Sequence, residues 1–502
     1  MICSSSMICR REPCAALAAL ILTLAGCAGE GDTGAPAPVS QRDPAVAILL
    51  GEADAVMAQG ALAEAGSRLD AARVLAPDDP DLWVAIARLR FRGGEHFTAL
   101  EAADRALELG PRHAPALLMR ALMVRDAHGP VKALVWFEAA LTDDPNNSDV
   151  WAEYAATLGD SGRNRAMLRA VRRLAEIAPD DARVFYLQAV LAARGDNPAL
   201  ARSLLQRSGL AESEVPAAMQ LDAVLSLASG NYDSAAATLE TLTARQPGNA
   251  RARELLARAL LLAGRDTDLI ARFGAEAGLA EASPYLIMLV ARAHERMGDR
   301  AGAAPLLARA YGGARRIPAV LADRPGLPPP TVSMRADASD GNWAGAQAQA
   351  QALQVRFAQS ADVTSLAGDA NFGAGNYRAA LSAYTLAARV RRPWPMTRKI
   401  AYASQMAGDA AAGNALLAHH VAGEPLAISG LVELADVQAQ RGDWARAAML
   451  LDHAIRLGGG HDPALLSLRM EAARALNRPT DAQHFARLLA EVRPGNLVQH
   501  QR

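Results

Sequence analysis

The sequence predicts an all-α protein: an α-solenoid of antiparallel helix pairs, arranged as two arrays joined by a proline-rich connector. Three observations predict it. Of 502 residues, 51% are hydrophobic but only 4% aromatic; the excess is largely alanine and leucine, which favour helix over strand. Pro77, Pro111, Pro145 and Pro179 are each 34 residues apart, a fixed period that marks a helix–turn–helix unit repeated in tandem. A turn signature of glycine, Asn or Asp, and an aromatic residue recurs at Gly230-Asn231-Tyr232, Gly341-Asn342-Trp343, Gly375-Asn376-Tyr377 and Gly442-Asp443-Trp444. A chain of this length exceeds one ordinary core. A tandem array removes that difficulty, because each unit is buried only against its neighbours.

The first segment, residues 1–26, reads as an export signal. Arg10 and Arg11 flank a short apolar stretch, Ala15 to Leu24, of signal-peptide length and too short to span a bilayer. It ends in Leu24-Ala25-Gly26-Cys27, which resembles the lipobox of bacterial lipoproteins. That resemblance implies cleavage before Cys27, lipidation of Cys27 and, with Ala28 rather than an aspartate next, an outer-membrane address facing the periplasm. The cysteines are Cys3, Cys9, Cys14 and Cys27, with none later, so cleavage would leave no internal disulfide and no thiolate metal site. Residues 27–43, rich in Gly, Pro, Ala and Ser, are expected to form a flexible tether that lifts the folded part off the membrane.

Residues 44–312 form the first array. One unit carries Trp83, Ala87, Ala99, Ala103 and Ala106 before Pro111, and the next Leu117, Ala121, Ala133, Phe137 and Ala140 before Pro145. Trp151, Tyr154, Ala155 and Leu158 open the unit ending at Pro179, where Met167 and Leu174 replace alanines. Small residues suit positions where two helices cross closely, and large ones fill the gap beside them. Each turn glycine ends a first helix in a left-handed conformation, with the aromatic packing over the turn. The segment 264–282 reads as irregular, and the unit after Ala182 as short. This pattern resembles the tetratricopeptide repeat over residues 44–497.

The period breaks at the connector, residues 313–331, which contains Pro318, Pro325 and the run Pro328-Pro329-Pro330. Three consecutive prolines favour a stiff extended segment over helix. Composition leaves open whether the connector is a hinge or packs against the solenoid. Residues 332–497 form the second array, and 498–502 a tail.

No catalytic constellation stands out. His294-Glu295 lacks the second histidine of a zinc-protease helix, and His419-His420 are adjacent, about 100° apart on a helix, so they do not share a metal from one face. Gly373-Ala374-Gly375 follows a helical segment rather than a strand, and Gly159-Asp160-Ser161-Gly162 reads as an inter-helix turn. The sequence therefore points to no enzyme, metal or cofactor. With 52 Lys+Arg against 53 Asp+Glu it also lacks the basic excess of a nucleic-acid binder.

In the resembled fold the first helix of each pair lines the concave surface. That implies a partner-binding groove formed by Val84, Arg88 and Phe91, then Leu118, Leu122 and Arg125, then Tyr186 and Val190. Several are apolar where a solvated face is polar, as a peptide groove requires. The lysine–asparagine clamp with which some of these repeats hold a chaperone C-terminus is absent, since Val84, Arg88, Leu118 and Leu122 occupy its positions. The implied partners are other envelope proteins or peptide segments, with no small-molecule substrate. The expected role is a lipid-anchored scaffold for secretion, exopolysaccharide export or pilus biogenesis. The alternative is an adaptor that recruits or regulates cell-wall enzymes.

Overall fold

The computed structural model describes residues 43–279, 282–312, 317–322 and 328–492. The signal sequence, Cys27, nearly all of the tether and the tail lie outside them. Among the described residues there are twenty-six α-helices and no strand.

Eight helix pairs precede the connector. They are α1 (Pro44–Ala58) with α2 (Leu62–Leu75), α3 (Pro80–Arg92) with α4 (His96–Leu109), and α5 (Ala114–His128) with α6 (Pro130–Asp143). Next come α7 (Ser148–Asp160) with α8 (Asn164–Ile177), α9 (Ala182–Arg194) with α10 (Pro198–Ser208), and α11 (Pro216–Ala228) with α12 (Tyr232–Arg245). The last two are α13 (Ala250–Leu262) with α14 (Asp266–Gly278), and α15 (Pro284–Arg296) with α16 (Arg300–Tyr311). The stretch 264–282, expected to be irregular, thus holds a full helix. Leu269, Phe273 and Ala277 bury one of its faces, and that spacing of four outweighs the missing consensus residues.

Five pairs follow the connector. They are α17 (Val332–Ser339) with α18 (Trp343–Arg356), α19 (Ala361–Gly373) with α20 (Tyr377–Ala387), and α21 (Trp394–Met406) with α22 (Ala410–Gly423). Then come α23 (Ile428–Gln440) with α24 (Trp444–Ala454), and α25 (Pro463–Ala475) with α26 (Pro479–Val492). The proline run corrects the extended reading: Pro329–Thr331 form a 3-10 turn that feeds α17. Proline's fixed φ and missing N–H suit the first turn of a helix as well as an extended chain.

The repeat sequence becomes repeat geometry through a few recurring contacts. Turn glycines Gly230, Gly341, Gly375 and Gly442 have φ of 78°, 76°, 78° and 79°, a region that costs side-chain-bearing residues steric strain. Ala87, Ala99, Ala103, Ala106, Ala121 and Ala133 are fully buried at helix crossings. The indole N–H of Trp83 donates to Pro77 O at 2.7 Å and that of Trp151 to Pro145 O at 2.9 Å. Arg253 does the same for Pro247 O at 3.1 Å. A second device spans neighbouring units. Arg92, Arg194 and Arg296 donate to the carbonyls of Met57, Gly159 and Leu261 at 3.0, 2.7 and 2.6 Å. Each acceptor is the penultimate residue of the preceding unit's first helix, where unpaired carbonyls and the helix dipole favour a cation.

The two arrays pack on each other. The Phe97 N–H donates to Gln359 O at 3.2 Å, and the Arg392 N–H to Asp126 O at 2.9 Å. The Ala361 N–H donates to the buried Nδ1 of His96 at 3.1 Å. Gly129 and Gly423 bring two backbones together, a Cβ built on Gly129 falling 2.8 Å from Gly423 O. One hydrophobic cluster contains Leu82, Ile86, Met119 and Met123 from the first array and Phe372, Val390, Met396 and Ile400 from the second. Farther along, α25 packs on α15 and α16. The second array therefore touches the first near both of its ends.

Inside the second array, Asp369 is 5% exposed. It accepts from the Tyr384 hydroxyl at 2.7 Å and from Lys399 Nζ at 2.7 and 2.8 Å. A buried carboxylate requires such partners, and they fix α19, α20 and α21 in register. Tyr384 lies flat on Gly368, where a Cβ would meet its ring at 2.6 Å. Gly368→Ala is expected to destabilise by about 1–3 kcal/mol through overpacking. Gly51→Ala, on an open helix face, is expected to be neutral or stabilising; urea midpoints read the difference.

The junction also sets a pH dependence. Burial lowers the pKa of His96, more strongly than Asp362 raises it. His420 has a fully buried side chain 3.4 Å from Glu424, stacked on Trp394 at 5.0 Å. Burial first, then Arg392, lowers its pKa to about 4. Both rings are held neutral in the folded state, so their contribution is complete above the unfolded value near 6.5 and is lost as pH falls below it. Glu424, pushed up by burial, acts with the opposite sign. Between pH 7.5 and 5 the urea midpoint is expected to fall. His420→Gln is expected to remove about 1–2 kcal/mol of that fall.

Candidate protein-binding surface

The eight residues that the sequence assigns to a groove do not share one environment. Val84 is 2% exposed and packs with Ala106 and Ala116; it belongs to the contact between adjacent units, not to an open face. Phe91 packs into the cluster joining the arrays, edge-on to His96 at 5.3 Å, so it supports the junction rather than a free groove. The physical reasons differ: Val84 is covered by its own and the next unit of the first array, whereas Phe91 packs on the cluster that the second array completes.

Arg88 remains half-exposed, with Asp54 at 3.9 Å. Leu118 and Leu122 are partly buried beside Leu117, Ala121 and Phe137. Tyr186 and Val190 are partly buried along the cluster of Leu158, Val184 and Leu187. Burial pushes the Tyr186 hydroxyl pKa up, and the nearby Asp160 adds to the shift. Arg125 donates to Glu153 at 2.8 Å and to the Thr157 hydroxyl at 3.4 Å, tying α5 to α7. Arg194 lies 3.8 Å from Asp160.

Leu118 and Leu122 thus flank one cluster and Tyr186 and Val190 the next, with Tyr154 packed against both, and the Arg125–Glu153 and Arg194–Asp160 pairs lie on the same helices. Partly exposed apolar groups beside paired charges suit a protein surface or peptide: the apolar groups supply binding area and the charges orientation. The sequence missed Glu153, Asp160 and Arg194 as members of these pairs. For Arg194 the available signal was the 35-residue Arg-to-carbonyl spacing that recurs at Arg92 and Arg296.

The remaining chemistry-bearing motifs are turns and packing elements. Ser161 donates to Leu158 O at 2.8 Å within the turn after α7. His294 faces Asp299 at 2.8 Å in the turn after α15, and His453 Nε2 lies 3.2 Å from Pro425 O. Among the described residues no group of three or more metal-ligating side chains converges, and no helix is long and apolar enough to cross a membrane.

A tetratricopeptide-repeat family model matches residues 84–148 and 223–284. No curated protein sequence matches the chain. Solved structures similar to it include Pseudomonas aeruginosa PilF, at 20% identity over 47% of this chain and 93% of that one, with a TM-score of 0.29. PilW, described as a type IV pilus biogenesis factor, matches at 20% identity over 40% and 92%, with a TM-score of 0.35. Human IFIT1 matches at 17% identity over 67% and 80%, with a TM-score of 0.41.

The burial pattern separates the eight residues by stability. Phe91→Ala is expected to cost about 2–4 kcal/mol and Val84→Ala about 1–3 kcal/mol, as large-to-small changes in packed sites. Arg88→Ala and Arg125→Ala are expected to stay within about 1 kcal/mol, as solvent-screened pairs do. Urea denaturation of the four variants checks this.

Proposed function

We propose that this tetratricopeptide-repeat-containing chain is a lipid-anchored, periplasm-facing scaffold that holds proteins of an envelope assembly together. Secretion, exopolysaccharide export and pilus biogenesis are the assemblies it suits. One observation carries the reading: the lipobox-like Leu24-Ala25-Gly26-Cys27 stands directly ahead of a short tether and thirteen helix pairs. A cleaved signal ending in a modifiable cysteine would fix the chain at a membrane surface from outside the cytoplasm. The tether would give the repeats reach, and the repeat fold is one that works by binding other proteins. The strip over Leu118, Leu122, Tyr186 and Val190 is where this reading places a partner. In this reading the role is holding and positioning rather than catalysis.

Two measurements test it. The native chain is expected to incorporate labelled fatty acid and fractionate with membranes, while Cys27→Ser is expected to be soluble or unprocessed. A photo-reactive residue in place of Leu122 or Tyr186 is expected to cross-link envelope proteins in intact cells. An unlabelled native chain, or cross-links confined to cytoplasmic proteins, would overturn the reading.

A further inference from the structure

Part of the proline-rich connector lies on the inner side of the second array. Residues 317–322 carry no helix, yet most of the segment is covered. Pro318 is buried and closes one end of a cleft of about 130 Å³ walled by Arg398, Tyr402 and Gln405 of α21, Asn414 of α22 and Glu433 of α23. Val320 packs against the cluster that joins the two arrays. Leu321 is 3% exposed, set among Met334, Ala338, Ala346 and Ala367. The carbonyl of Ala322 accepts from Arg335 Nη1 at 2.7 Å. Ile317 is 59% exposed.

This is the way an extended peptide ligand is held: side-chain anchors enter apolar sites while the receptor's polar groups take main-chain atoms. The backbone conformation is not one the segment favours by itself. Leu321 has a φ of 50°, a left-handed geometry costly for a residue with a branched side chain, so burial of that side chain must offset it. In the cleft beside Pro318, Arg398 is paired with Glu433 at 3.4 Å, and the amides of Gln405, Gln440 and Asn414 offer groups for a main chain, beside Arg441 and the apolar Leu417 and Val437.

We propose that residues 317–322 are an intramolecular occupant of the second array's inner face. An extended partner segment with a proline and aliphatic anchors at similar spacing takes their place. Because the segment is part of the chain, its local concentration is on the order of millimolar. A competing segment succeeds when its own protein is already docked elsewhere on the scaffold. Occupancy would then report assembly: the cleft opens to a partner that is held in place. This deepens the protein-binding reading above. The occupancy is read from this chain alone, so its failure would leave that reading standing.

The test uses the full chain and a fluorescent, end-capped peptide with the sequence of residues 317–322. In the triple variant Pro318→Gly, Val320→Gly and Leu321→Gly the anchors are gone, and glycine accepts the left-handed backbone at 321 without strain. The peptide is expected to bind this variant saturably, at least ten-fold more tightly than the native chain. Equal binding to both, or none to a variant with native circular dichroism, would overturn the proposal. Should the triple variant fail to fold, Pro318→Gly alone decides, since it empties only the cleft at α21 to α23: the peptide is expected to bind it saturably and at least three-fold more tightly than the native chain, and equal binding would overturn the proposal.

Discussion

A helix pair of this size exposes an apolar stripe on each side and has no means of covering both. Everything else in the molecule follows from that constraint. Each pair is stable only against the next, so crossings must be close, which is why Ala87, Ala99, Ala103 and Ala106 are fully buried and why most turns between helices are three or four residues long. Stability of such an array is largely a sum of neighbour contacts. The arginines at Arg92, Arg194 and Arg296 add a directional term, because each reaches the carbonyl end of the preceding unit's first helix. Those contacts resist sliding between neighbouring units as well as separation.

Thirteen pairs do more than extend. A fixed rotation per unit brings distant units together, and here the meeting is specific rather than incidental. His96 accepts from a backbone amide 265 residues away, Gly129 lies against Gly423, and the shared cluster draws Met119 and Met123 against Met396 and Ile400. The second array is thus a docked body and not a continuation of the first. The burial that makes it so also places His96 where a charged ring is disfavoured, and His420, buried within the second array beside Trp394, is held neutral likewise.

The docking leaves a working surface smaller than the concave face of a free solenoid. Val84 is spent on packing and Phe91 in part, while Leu118, Leu122, Arg125, Tyr186 and Val190 stay partly exposed. On the second array the inner face near α21 and α23 is closed at one end by Pro318.

The sequence by itself determined the unit and its repetition. The 34-residue period, the turn glycines and the alanines at crossings are local requirements of a helix pair, so each is written within one unit and survives reading in isolation. The lipidation proposed for Cys27 rests on sequence alone, since that residue lies outside the described ones. The tertiary structure decided what faces what. Val84 and Phe91 carry the signature of a groove, yet Val84 is covered by Ala106 and Ala116 and Phe91 packs on a cluster completed by residues beyond 360. The prolines at 328–330 read as extended because the residues that turn them into the start of α17 lie downstream, and the seating of Pro318 depends on α21 to α23. Periodicity encodes what a helix needs from its neighbour in the chain; burial between units hundreds of residues apart depends on the accumulated rotation of the whole array, which no single window of sequence contains.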